Sequence, residues 1–243
     1  MKKLSLATAV LTSVFAMGAN AYQAEVGGKL TYIDTTDGNV EVAVDGKYYF
    51  APVQTKNGPL NEAAFLSRAS NVNAEITYND DAESTDINAG VEYFVPNSDF
   101  YVSGKLGTDN DGDDTTYAAE VGYLPVSNFL VAVGIAGADV KGGSNESDPT
   151  LRAKYVTNLG GFDVNLEGGL VFGDDTAFGL GGDVYLDKTF SVGAGYADDG
   201  VSGTDGVFSI RAKKFFTQQV SLEANIDFVD DANAFGVRGA YRF

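Results

Sequence analysis

The chain has 243 residues, 16 of them Lys or Arg and 34 Asp or Glu, with no His, no Cys and no Trp. Without imidazole or thiol there is no Ser-His-Asp triad, Cys-His dyad, disulfide or zinc knuckle; most hydrolase and metal chemistry is excluded, and neither a catalytic site nor a cofactor is expected. A formal net charge of −18 repels nucleic acid, and 13 Tyr with 16 Phe are too many aromatics for an acidic disordered chain, so the protein is expected to fold.

Met1 to Ala21 have the three parts of a secretory signal peptide. Lys2 and Lys3 form the basic start, Leu4 to Met17 the apolar run, and Ala19-Asn20-Ala21 a small-x-small cleavage site. The run is shorter than the roughly 18 apolar residues of a membrane anchor, and Thr8, Thr12 and Ser13 interrupt it. Residues 1–21 are therefore read as a removed leader and 22–243 as one domain. No later segment is long and apolar enough for a spanning helix, so this exported chain would enter a membrane only as strands.

From Tyr22 onward the dominant signal is alternation with period two, punctuated by Gly, Asp and Asn clusters. In the run from Val40 to Phe50, Val40, Val42, Val44, Tyr48 and Phe50 share one face while Glu41, Asp45, Lys47 and Tyr49 share the other. Fourteen such segments follow one another, centred near Gly28, Asp45, Ala74, Ala89, Ser103, Ala119, Val133, Lys154, Leu166, Gly182, Gly193, Ile210, Ala224 and Gly236. An even number suits a closed antiparallel barrel. Between the second and third segments, Gly58 to Leu66 forms the longest inner connection; it is expected to be a short helix or plug whose Ala63-Ala64-Phe65-Leu66 stretch packs under the barrel or against its inner wall.

If the amino end is periplasmic, the longer, acidic connections lie outside the cell, and the only base among them is Lys141. The others are mostly tight, as at Pro96-Asn97-Ser98-Asp99 and Asp187-Lys188-Thr189. The net charge thus gathers on one rim. Asp109-Asn110-Asp111-Gly112-Asp113-Asp114 has the composition of a calcium loop but lacks its closing Glu and flanking helices. Loose divalent association beside lipid phosphates is the expectation there.

Alternation alone leaves a soluble sandwich or barrel and an outer-membrane barrel both open. Short inner turns with longer polar outer loops favour the membrane. So do Tyr and Phe gathered at segment ends on the apolar face (Tyr32, Tyr48, Phe50, Phe100, Tyr123, Phe162, Phe228), because such rings sit best at a bilayer interface. The last strand alternates through to Tyr241-Arg242-Phe243, and Tyr241 and Phe243 there resemble the signal by which barrel-assembly machinery selects its substrates.

Ala21-Tyr22-Gln23-Ala24-Glu25-Val26, the block Gly58-Pro59-Leu60-Asn61-Glu62-Ala63-Ala64-Phe65-Leu66, the run Asn128 to Gly134 and the Arg-x-Phe end together resemble the small outer-membrane porins of Acinetobacter-like Gram-negative bacteria. The resemblance runs the length of the chain, and the Gly58–Leu66 block is its most specific part. It implies a 14-stranded transmembrane barrel acting as a narrow passive channel for water and small polar solutes, in contact with outer-membrane lipids and lipopolysaccharide.

In such a barrel the inward face sets what passes. By the alternation it carries Glu41, Asp45, Glu75, Glu92, Glu120 and Glu223 among its acids, with Glu25, Asp163, Glu167, Asp183 and Asp227. Its bases are Lys47, Lys105, Arg152, Lys154, Arg211, Lys213, Arg238 and Arg242, with Lys29. The bases of segments 12 and 14 and the acids of segments 2 to 4 suggest a transverse field across the lumen. The alternative is that these charges pair across strands and fill the barrel, giving a non-conducting structural or adhesive barrel that displays acidic loops. The many inward Gly are expected to relieve strand bending on closure.

Overall fold

In the computed structural model, residues 21–35, 38–56, 58–109, 114–140, 146–229 and 232–243 are described. The proposed leader, up to Asn20, and the centre of the calcium-like loop, 110–113, lie outside these residues. The strands are β1 (Ala21–Asp34), β2 (Asn39–Gln54), β3 (Asn71–Asn79), β4 (Ser84–Phe94), β5 (Phe100–Thr108), β6 (Asp114–Val126), β7 (Phe129–Val140), β8 (Glu146–Leu159), β9 (Phe162–Phe172), β10 (Thr176–Asp187), β11 (Phe190–Asp198), β12 (Val207–Phe215), β13 (Val220–Val229) and β14 (Ala232–Arg242). All fourteen expected centres fall inside them.

Each strand pairs antiparallel with its chain neighbours, and β14 returns to β1 to close the barrel. At that seam Glu25 stands opposite Arg242 and Lys29 opposite Arg238. Closure leaves no free edge, so every strand satisfies its backbone groups on both sides, as a lipid environment demands. Among the described residues no helix is long and apolar enough to cross a membrane.

The outward face is apolar and open to the surroundings, with Leu30, Leu106, Val121, Val133, Leu180 and Val237 at mid-strand. Girdle rings pair across strands near both ends: Phe100 with Tyr123 (centroids 5.6 Å apart) and Phe129 with Tyr155 (5.4 Å) at the short-turn end, and Phe208 with Phe228 (6.1 Å) at the loop end. The two-residue turn between β8 and β9 needs Gly160 and Gly161 at φ of 62° and 94°, a region where a side chain is strained.

The buried core is small and lies inside the barrel at its short-turn end. There the β2–β3 connection turns inward through a 3₁₀ turn, Leu60–Glu62, and a single-turn helix α1, Ala63–Leu66. Ala63 packs against Tyr22, Tyr49 and Val53. Phe65 reaches a second cluster of Tyr101, Leu124 and Leu130, joined by Phe94. Past the C-cap Ser67, Arg68 takes a positive φ of 49°, which turns the chain so that Ala69 N–H bonds Ala64 O at 2.9 Å.

Candidate functional site

The candidate site is the lumen, bounded by the inward faces of the strands and floored by the inner segment. Glu62, at the end of the 3₁₀ turn, ties that floor down. Its Oε2 lies 2.8 Å from Lys154 Nζ, and its Oε1 accepts a 2.5 Å bond from the Tyr185 hydroxyl. Leu60 N–H bonds Lys188 O at 2.8 Å, and Leu60 O accepts from Arg242 Nη1 at 2.9 Å. Arg242 is held in turn between the rings of Tyr22 and Phe215, with centroids 4.5 and 4.4 Å from its Cζ, and its Nε donates to Glu25. Arg242 is therefore a clamp on the inner segment as much as part of a water-lined wall.

Above the floor, arginines hold four of the eleven inward acids, Glu25, Asp45, Glu120 and Asp183. Arg152 bonds Glu120 through Nε and, at 2.7 Å, through Nη2, and Ser103 donates to the same carboxylate at 3.1 Å. Arg211 grips Asp183 through two 2.8 Å bonds. Arg238 reaches Asp45 through Nε at 2.8 Å and Nη2 at 2.5 Å, and Glu25 at 3.0 Å. Lys213 pairs with Glu223 at 3.1 Å, and Lys154 with Glu167 at 2.6 Å as well as with Glu62. Glu92 receives Asn71 Nδ2 at 2.8 Å and the Tyr101 hydroxyl at 3.0 Å, and Glu41 receives Asn79 Nδ2 at 2.9 Å. Two-point guanidinium–carboxylate bonding fixes direction as well as charge, so these side chains lie against the wall.

The expected transverse field takes a different form. Arg238 on β14 and Asp45 on β2 are not opposed across the lumen: closure puts β14 beside β1 and β1 beside β2, so the two are near neighbours and pair directly. Likewise Arg211 on β12 spans β11 to reach Asp183 on β10. The inward glycines also have a second role. A Cβ at Gly27 would lie 2.5 Å from Arg238 Nη2 and 2.6 Å from Asp45 Oδ1, and one at Gly193 would collide with Asp183 Oδ1. These glycines leave room for a charged pair to lie across the strand.

Among the described residues, three inward bases make no ion pair: Lys29, Lys47 and Lys105. Glu75 has neither an ion pair nor a side-chain hydrogen bond among the described residues. A cavity of about 300 Å³ lies over the inner segment between Lys47, Glu92, Arg152 and Lys154, and one of about 530 Å³ lies beside Lys47, Glu75 and Lys105. No cluster of carboxylates suited to a metal ion occurs among the described residues.

Sequence reasoning missed Glu62 as a structural anchor and the inward ring of Tyr22, Tyr49, Tyr101 and Tyr185. The signal was present: in β2 the alternation separates Tyr49 from Tyr48 and Phe50, and an aromatic on the polar face near a short turn has only an inner segment to pack on. Tyr241 and Phe243 stack at the seam with centroids 6.2 Å apart, and Phe243 O accepts bonds from Gln23 and Ala24 N–H at 2.7 and 2.9 Å.

A closed 14-stranded barrel with an apolar girdled exterior and a charged interior defines an outer-membrane channel protein. Residues 1–147 match the family described as "Putative general bacterial porin", and the chain belongs to that family. The crystal structure of the Acinetobacter baumannii outer membrane protein Omp33 is similar over 93% of this chain and 100% of that one, with a TM-score of 0.81 and 33% identity. The fold is shared with the KdgM porin (TM-score 0.54, 14% identity, 90% of this chain and 99% of that) and with a bacterial polysaccharide outer membrane secretin (0.51, 13%, 93% and 100%). No curated protein matches the sequence. The protein resides in the outer membrane, and its family and fold are those of a channel rather than an enzyme.

Proposed function

We propose that the protein is a narrow passive channel for water and small polar solutes, with passage set by lumen width and by the inward charges, Glu41, Asp45, Lys47, Glu75, Glu92, Lys105, Glu120, Arg152, Lys154, Arg211, Lys213, Glu223, Arg238 and Arg242. One observation carries this reading: the ionic side chains are drawn flat against the wall by arginine forks over glycine, and polar cavities remain beside them. A barrel of this strand number encloses more room than the eight-stranded kind that side chains fill. The leader at 1–21 accounts for export, and Tyr241 with Phe243 for recognition by the assembly machinery.

The inner segment favours a second reading. Leu60 to Leu66 occupies the short-turn end, as expected of a structural barrel that displays loops without conducting. Planar-bilayer recording and liposome swelling with the purified barrel separate the two. Solute or water flux above protein-free vesicles is the expected result, and none would overturn the channel in favour of the structural barrel.

A further inference from the structure

Three of the four uncommitted side chains, Lys47, Lys105 and Glu75, share one stretch of wall. Along the register Lys47 on β2 faces Asn73 on β3, Asn73 faces Gly90 on β4, and Gly90 faces Lys105 on β5. These positions form one row across four strands, a lysine at each end and an amide and a glycine between. Asn73 donates through Nδ2 to Asn71 Oδ1 at 3.2 Å, so its own side chain is fixed, and its Oδ1 lies over Gly90, 3.0 Å from where a Cβ would stand. The next row toward the loop end is Asp45, Glu75, Asn88 and Gly107. Asp45 there is held by Arg238, which leaves Glu75 as the free charge.

The spacing suits a small ligand. Lys47 and Lys105 are three strand intervals apart, roughly 14 Å between backbones, and adjacent rows on one face are about 7 Å apart. Both ammonium groups sit on flexible stems that can converge over the Asn73–Gly90 saddle, with the Glu75 carboxylate beside them. The cavity of about 530 Å³ is lined by Lys47, Asn73, Glu75, Asn88 and Lys105 together. A plain anion drawn by the lysines meets Glu75, and a plain cation drawn by Glu75 meets the lysines. Only a solute bearing both charges is favoured at both ends, and a neutral one gains only hydrogen bonds from the amides.

We propose that this row is a binding site for small amphoteric solutes of the amino-acid class, the carboxylate held between Lys47 and Lys105 and the ammonium turned to Glu75. The inference deepens the channel reading and rests on it for the route by which the solute arrives. Two readouts on the full-length barrel keep them apart: saturation-transfer NMR in detergent for binding, and liposome swelling for passage. The probes are L-alanine, its near-isosteric neutral counterpart lactamide, and lactate.

Alanine is expected to bind and to permeate about three- to tenfold better than lactamide, and in the paired variant K47Q/K105Q that ratio should fall to about one. A second variant, Glu75→Gln, should narrow the gap between alanine and lactate by removing the group that rejects the plain anion. An alanine advantage that survives K47Q/K105Q, or that never exceeds lactamide while both permeate, overturns the site and leaves the channel standing. Alanine binding that depends on both lysines, with no swelling by any probe, sustains the site and overturns the channel.

Discussion

The lumen has two walls of different character. From β8 round to β14 every inward base is paired, four of the six are arginines, and the carboxylates they hold come from as far as β1 and β2. From β1 to β5 the inward bases are all lysines, Lys29, Lys47 and Lys105, and none is ion-paired among the described residues. Residue type follows use. A guanidinium offers a rigid fork that satisfies a carboxylate at two points, whereas an ammonium on a flexible stem stays hydrated and movable. One wall has its charge built into the structure, and the other keeps its charge available.

The largest effect that would break this contrast is on stability. Arg238→Ala strands Asp45 and leaves Glu25 to Arg242 alone, both carboxylates being less than a fifth exposed at the side chain. Removing one partner of a buried pair costs about 3–5 kcal/mol, and water in the lumen should bring this nearer to 2 kcal/mol. Lys47→Gln, on the other wall, should change stability by less than about 0.5 kcal/mol. Urea unfolding of the two variants in lipid, read by tryptophan-free far-UV circular dichroism, checks the difference. Equal shifts in midpoint would remove the distinction between the walls.

Next in size is the floor. Glu62→Ala deletes the Lys154 pair and the Tyr185 bond together, and with both gone the inner segment should lose about 2–3 kcal/mol of its attachment. Conductance in planar bilayers should rise and cleavage within 60–68 by added protease should quicken, on the order of tenfold or more. No change in either would mean that the packing of Ala63 and Phe65 alone retains the segment.

Smaller again is the glycine test. Gly27→Ala introduces a Cβ at 2.5 Å from Arg238 Nη2, so the fork must move, at a cost of roughly 1–3 kcal/mol. Gly239→Ala, on the outward face of the same seam with nothing within 4 Å, should be neutral or slightly stabilising. Thermal unfolding of this pair asks whether inward glycines serve the charges or merely the curvature.

The strands were legible because their signal is local. Period-two alternation and Gly-Asp-Asn punctuation place every one of the fourteen centres, and the aromatics at segment ends follow from the same pattern. The inward face was legible for the same reason. What the inward residues do to one another was not, because it depends on closure and on long side chains that cross strands. Asp45 and Arg238 are 193 positions apart in sequence and meet only because β14 returns to β1. Glu62 and Tyr185 are 123 apart and meet only because the inner segment turns into the barrel. Alternation says which face a residue takes, and cannot say which neighbour it grips.

The smallest expected effect concerns the rim. Its described acids are exposed or half-buried, and Asp199 accepts bonds from the Thr204 hydroxyl at 2.5 Å and Val201 N–H at 3.0 Å, which hold its carboxyl below the usual range. A lowered value means the charge persists as pH falls until below the ordinary carboxylate titration, near about 4. At neutral pH the mouth should therefore concentrate cations, but only over the screening distance, about 30 Å at 0.01 M salt and about 3 Å at 1 M. Reversal potentials should show a cation preference that shrinks severalfold across that range, while the alanine-over-lactamide ratio, set by side chains touching the solute, shifts much less. If the two fall together with salt, long-range rim charge governs both. If neither moves, the preference comes from contacts inside the lumen, and the acidic loops have no part in permeation.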